Sequence, residues 1–250
     1  MQSKVRQEQQ RLLEAVHAVG KPLVVVLMNG RPLSIPWLDA NVPAILESWY
    51  LGVRMGPAVA DVLFGEHSPS GKLPVTFPRT VGQLPLYYNH KNTGRPPSEL
   101  ERYTSKYIDV PWTPLYPFGH GLSYTTFTYS NLRLSSARIA ATDPVRVQVD
   151  VTNAGQRAGD EVVQLYVRDD VASVTRPVKE LRGFERLTLQ PGQSRTVTFM
   201  LRTADLAFYN QQMRRVVEPG RFTVWVGTSS ADERQQARFE VTGAVHQLSR

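Results

Sequence analysis

The chain has 250 residues, 41% of them apolar and 20% charged, with a formal net charge of +7 and no cysteine. This is the profile of a globular protein with enough apolar residues for one large domain or two small ones, and it excludes a disulfide framework, a thiolate metal site and a cysteine nucleophile. The Lys and Arg residues are spread singly, Arg214-Arg215 being the only basic doublet. A solvated basic surface accounts for that pattern, and nucleic-acid binding is not expected.

In chain order, Val5, Leu12, Leu13, Val16 and Val19 fit one face of a helix, Gly20 is a stop, and Pro22 enters the apolar run 23–28. That run has the length of a parallel strand covered on both faces. It is the longest apolar run in the chain, far short of the roughly 18–20 residues that cross a bilayer, so no membrane segment is expected. The polar stretch 1–10 is unlike a secretory signal, so export is expected either to depend on sequence outside these residues or not to occur.

Asn29-Gly30 turns the chain, residues 44–48 lead into Trp49-Tyr50, and 56–64 read as a helix with Val59, Val62 and Leu63 on one side. Ser68-Pro69-Ser70-Gly71 is a break, and 72–77 alternate as a strand would. From Pro78 to about Tyr116 the texture is Pro, Gly, Tyr and Asn, with Tyr87, Tyr88, Tyr103 and Tyr107 arguing for packing rather than disorder.

Beyond Gly121 the pattern is all-β, with strands expected at 145–151, 161–168, 178–184, 196–201 and 221–227. Asn153-Ala154-Gly155, Pro191-Gly192 and Pro219-Gly220 supply the turns. The fold class is thus α/β plus all-β: the closing part of an open α/β sheet at 1–77, an aromatic Pro/Gly-rich connection at 78–114, and an immunoglobulin-type β-sandwich at 115–243.

Chemistry is sparse. Gly65 to Lys72 resembles a phosphate loop, but five residues separate its glycines and Leu73 stands where a Mg²⁺-binding Ser or Thr belongs. His17, His67, His90, His120 and His246 make no ligand pair, so neither a metal nor a cofactor is expected. Ser123 lacks a nucleophile elbow. Hydrolysis of a glycoside needs two carboxyls, and Asp39, Glu47, Asp61, Glu66, Glu99, Glu101 and Asp109 are single acidic residues without a paired pattern. Trp49-Tyr50, Trp112 and Tyr116 suit either sugar stacking or interior packing, and packing is the simpler account.

Three stretches carry a specific likeness: residues 21–33 (Lys21-Pro22 through Met28-Asn29-Gly30-Arg31-Pro32-Leu33), 60–65 with 68–74 (Ser68-Pro69-Ser70-Gly71-Lys72-Leu73-Pro74), and 116–127 (Tyr116-Pro117-Phe118-Gly119-His120-Gly121-Leu122-Ser123-Tyr124). Together with Arg176-Pro177-Val178-Lys179-Glu180-Leu181-Arg182-Gly183-Phe184 and Glu218-Pro219-Gly220 they resemble family 3 glycoside hydrolases of the periplasmic β-glucosidase type, in the family's own order. The resemblance implies the C-terminal portion of such an enzyme, with a fibronectin type III-like domain from about Leu115.

In that family the nucleophilic aspartate lies on an N-terminal barrel and the acid/base on the barrel or on sandwich sequence upstream of this region. No catalytic residue is therefore carried onto a numbered position here, and the chain alone is expected to be inactive. The resemblance further implies a periplasmic parent that removes terminal β-glucosyl residues by a retaining route, with β-glucosides or oligosaccharides and the barrel domain, in cis or in trans, as partners. The alternative is a noncatalytic module binding carbohydrate or protein, which a row of exposed aromatics would favour; Trp225, in the alternating 223–227, suits core as well as surface.

Overall fold

The computed structural model describes residues 7–248. They form two compact units, one of residues up to His67 with Pro74–Tyr87 and Pro97–Phe118, the other of Ser68–Leu73, Tyr88–Pro96 and the chain from Gly119 onward. Within 78–114, residues 88–96 thus count with the second unit and the remainder with the first.

The first unit holds α1 (Gln7–His17), β1 (Val24–Leu27), α2 (Pro36–Asn41), β2 (Ala44–Glu47) and α3 (Met55–Leu63). Strands β1 and β2 run parallel with Val24 opposite Ala44 and Leu27 opposite Glu47, and α2 supplies the crossover. Pro36 starts α2 in its first turn, where a missing N–H costs nothing. Ile35, Leu38, Val42, Val25, Phe77 and Leu115 are its buried apolar residues.

The helix-then-strand reading of the N-terminal stretch is found, although Val5 lies outside the described residues. The apolar faces of the helices are another matter: neither α1 nor α3 buries a residue, and Leu12, Val16, Val19, Leu63 and Phe64 are exposed. Residues 72–77 are not a strand. Pro74 and Pro78 offer no N–H to a ladder, Leu73 pairs instead with the backbone of Gly119 and His120, and Phe77 makes a single antiparallel bridge to Tyr116.

The second unit is a β-sandwich. Its elements are β3 (Phe127–Leu134), β4 (Arg138–Ala140), β5 (Val145–Asn153), β6 (Gly159–Asp169), β7 (Glu180–Leu189), β8 (Ser194–Leu201), α4 (Thr203–Leu206), β9 (Phe208–Tyr209), β10 (Arg215–Val217), β11 (Gly220–Ser229), β12 (Asp232–Thr242) and β13 (His246–Gln247). A five-stranded sheet in the order β4-β12-β11-β6-β7 and a three-stranded sheet β3-β5-β8 enclose the core, with β13-β10-β9 as a small third sheet.

Alternation decides which side chains enter that core. Val145, Val147, Val149 and Val151 on β5, Val163, Leu165 and Val167 on β6, and Val224 and Val226 on β11 are buried, while the intervening positions of β5 point outward or are half-buried. Asn153, at the end of β5, is fully buried and fully used: its amide donates to the carbonyls of Arg157 and Leu189, and its oxygen accepts from Thr125 Oγ1 and Gly155 N–H. Such a residue fixes the turn that follows, because every alternative leaves buried polar groups unpaired.

Candidate functional site

In open α/β sheets ligands gather beyond the carboxyl ends of parallel strands. Here those ends are Leu27 and Glu47, followed by Met28-Asn29-Gly30 and Ser48-Trp49-Tyr50. Glu47 is half-buried and accepts hydrogen bonds from Asn29 Nδ2 (3.0 Å to Oε2) and from the Trp49 N–H (3.0 Å to Oε1). Ser48 Oγ donates to the Leu27 carbonyl at 2.8 Å, tying the two strand ends together.

The turn is strained. Trp49 has φ +53°, a left-handed conformation that bulky residues avoid, and the bond from its N–H to Glu47 helps to hold it there. Its ring lies 6.0 Å from Phe77, which in turn lies 6.1 Å from Tyr116. Gly30 completes the arrangement, since a Cβ there would sit 2.7 Å from the Tyr50 ring.

Burial raises the pKa of Glu47 above 4.5, against the bonds from Trp49 and Asn29, which lower it. A carboxyl with a raised folded pKa binds a proton more readily than the unfolded chain does, so its contribution to stability falls as pH rises through the window between the unfolded and folded values. We expect the Glu47 carboxyl signal in an NMR titration to have its midpoint above 4.5, and Glu47→Gln to remove that component from the pH dependence of unfolding. A midpoint at or below 4.5 would refute this.

Of the other acidic residues, Glu99 and Asp109 border one groove. Asp39 accepts from Tyr116 Oη at 2.7 Å, and Glu99 accepts from Trp112 Nε1 at 3.1 Å, while Asp61, Glu66, Glu101 and Asp109 are exposed. Trp49 and Tyr116 pack with Phe77, whereas Tyr50 is exposed and Trp112 is half-buried. Among the described residues no three His, Asp or Glu side chains come together as a metal site.

The second unit carries a charge pair that the sequence reading missed. Lys72 Nζ lies 3.2 Å from Glu161 and donates to the Gly121 carbonyl at 2.9 Å, with side-chain exposures of 12% for Lys72 and 5% for Glu161. Lys72, the residue that gave 65–72 its likeness to a phosphate loop, is engaged in this pair. Around it, Leu73 and His120 and then Gly119 and Leu73 exchange backbone bonds at 2.8 Å, and Ser68 Oγ meets Ser123 Oγ at 3.0 Å. The available signal was phase: Glu161 has the same parity as the inward Val163, Leu165 and Val167, and a carboxylate on an interior phase requires a cation. On β11, Trp225 is half-buried, with the Lys179 ammonium 5.1 Å from its ring centroid.

Comparison with known proteins gives these elements a context. Residues 1–124 match the glycosyl hydrolase family 3 C-terminal domain, and residues 161–230 match a fibronectin type III-like domain. A periplasmic beta-glucosidase of Salmonella typhimurium is 52% identical over 233 residues, which is 92% of this chain and 30% of that protein. A beta-xylosidase of Formosa agariphila is 51% identical over 89% of this chain and 30% of its own length. The solved beta-glucosidase of Listeria innocua in complex with glucose superposes with a TM-score of 0.91 at 44% identity, over 96% of this chain and 34% of that one. The chain spans about a third of the length of the relatives it matches. With both domain types present in the expected order, the chain belongs to glycosyl hydrolase family 3, of which it represents the C-terminal portion.

Proposed function

We propose that this chain is the scaffold third of a β-glucosidase whose parent removes terminal β-linked glucose by a retaining, two-carboxylate route. The observation that carries the reading is the 52% identity, over 92% of the chain, with a periplasmic beta-glucosidase. The site geometry agrees with a scaffold role. A retaining glycosidase needs two carboxyls roughly 5–5.5 Å apart, one free to attack, whereas Glu47 is occupied by Asn29 and the Trp49 turn.

The first unit also has the form of an incomplete layer. A parallel sheet requires cover on both faces and more than two strands, and here a lone parallel pair is accompanied by two helices that bury nothing. The partner that answers this is the remaining two-thirds of a family 3 enzyme, supplied in cis or in trans. A periplasmic location for the parent rests on the name of the Salmonella relative.

The test is hydrolysis of a chromogenic β-glucoside by the purified 250-residue chain, alone and mixed with the separately expressed N-terminal two-thirds of a relative. We expect no turnover from the chain alone and turnover on mixing. Activity from the chain alone would overturn the scaffold reading.

A further inference from the structure

The connection from β6 to β7 brings two charged side chains to one small cavity inside the second unit. Asp169 is the last residue of β6, opposite Phe222 of β11, and Arg176 lies in the connection, ahead of Glu180 at the start of β7. The Arg176 guanidinium is held on two sides: Nη2 donates to Glu180 Oε2 at 2.9 Å, and its carbon lies 4.6 Å from the centroid of the Phe208 ring. The other Glu180 oxygen, Oε1, pairs with Arg182 at 3.0 Å, so both oxygens of Glu180 are engaged. Arg176 Nε and Asp169 Oδ2 are left. Both atoms are buried, and neither has a hydrogen-bond partner among the described residues.

A buried donor and a buried acceptor left unpaired are each costly, the more so when both belong to charged groups. These two side chains border the same cavity, of about 10 Å³, whose wall also includes Asp205 and Phe222. That volume is at the threshold of roughly 10–15 Å³ that a single water needs, and far below the roughly 300 Å³ at which small-molecule sites begin. Chemistry narrows the occupant further. Nε–H requires an acceptor and Oδ2 requires a donor. A simple cation answers only the carboxylate and a simple anion only the guanidinium, whereas water accepts from one and donates to the other. Burial pushes the Asp169 carboxyl up to about 6, with the Arg176 charge acting against it and the charges of Glu218 and Asp170 adding to it. A carboxylate short of hydrogen-bond donors shifts in that direction.

We infer that one internal water molecule bridges Arg176 Nε and Asp169 Oδ2, tying the end of β6 to the stretch that enters β7. That stretch also receives residues 88–91: the Val178 N–H donates to the His90 carbonyl at 2.9 Å, and Pro177 bridges Lys91. The water belongs to the sandwich itself and does not depend on the activity of the parent enzyme.

Two measurements on the 250-residue chain test this. In the ¹⁵N-labelled chain, the Arg176 Nε–H resonance is assigned through bonds to its own backbone. It is expected to give a direct rotating-frame cross-relaxation peak to water, opposite in sign to a peak from proton exchange. Oxygen-17 relaxation dispersion reports waters that stay longer than the protein tumbles. Asp169→Leu/Arg176→Met removes both hydrogen-bonding ends and is expected to lose the amplitude of one such water. An Nε–H without a direct peak to water overturns the proposal, as does a double variant that is folded by circular dichroism and keeps the full amplitude. Should the double variant not fold, the cross peak in the unsubstituted chain decides alone.

Discussion

Lys72→Met is expected to destabilise the second unit by about 3–5 kcal/mol, the usual consequence of removing one partner from a buried ion pair. Glu161 is nearly inaccessible, and its carboxylate is raised in pKa by burial while Lys72 and the Val162 N–H lower it. Without the ammonium the cost of burial is opposed only by the Val162 N–H and the charge of Arg234. Glu161 would then take up a proton more readily, so the deficit of Lys72→Met should be largest at high pH and should shrink as pH falls through the newly raised value. The double variant Lys72→Met/Glu161→Leu removes both charges and is expected to recover most of the loss. Urea unfolding followed by circular dichroism reads all three; a loss under about 1 kcal/mol for the single variant would mean that water already reaches the pair.

Amide hydrogen exchange is expected to separate the two units by about a hundredfold or more in protection. The sandwich core joins residues from β3 to β12, including Val145, Val147, Leu165, Leu187, Val224 and Phe239, and its strands are linked by long antiparallel ladders. The first unit has a four-rung parallel pair, six buried apolar side chains among its described residues, and helices of 11 and 9 residues with no buried face. Helices that short are marginal without packing. Protection in β1 and β2 equal to that in β5 and β6 would show that the first unit has support that its own contacts do not supply.

The sequence disclosed what depends on local period. The valines at 145, 147, 149 and 151 alternate plainly, and β5 lies where they placed it. It was less informative where polar residues dominate the exposed face, as on β12, whose Asp232 to Gln236 are all polar or charged, and on β3 and β4, which were not anticipated. The expected strand at 178–184 is found displaced, as Glu180–Leu189. Glu47 was visible as a carboxyl, but its commitment to Asn29 and to the Trp49 turn is a product of strand pairing. The phase of Glu161 on β6 marks its need for a cation without naming Lys72, and the contact of Asp39 with Tyr116 leaves no periodic trace at all.

The interleaving of the two units bears on how this architecture can be cut and joined. Because Ser68–Leu73 and Tyr88–Pro96 belong with the sandwich, no single break in the gene yields that unit free of the other. A cassette starting at Gly119 would carry Glu161 away from its lysine and Gln164 away from no partner it needs, since Gly119 accepts the Gln164 amide within the cassette. The sandwich is therefore poorly suited to shuffling as an isolated exon-like block, and a transplant that works should begin upstream of Ser68, bringing part of the α/β layer with it.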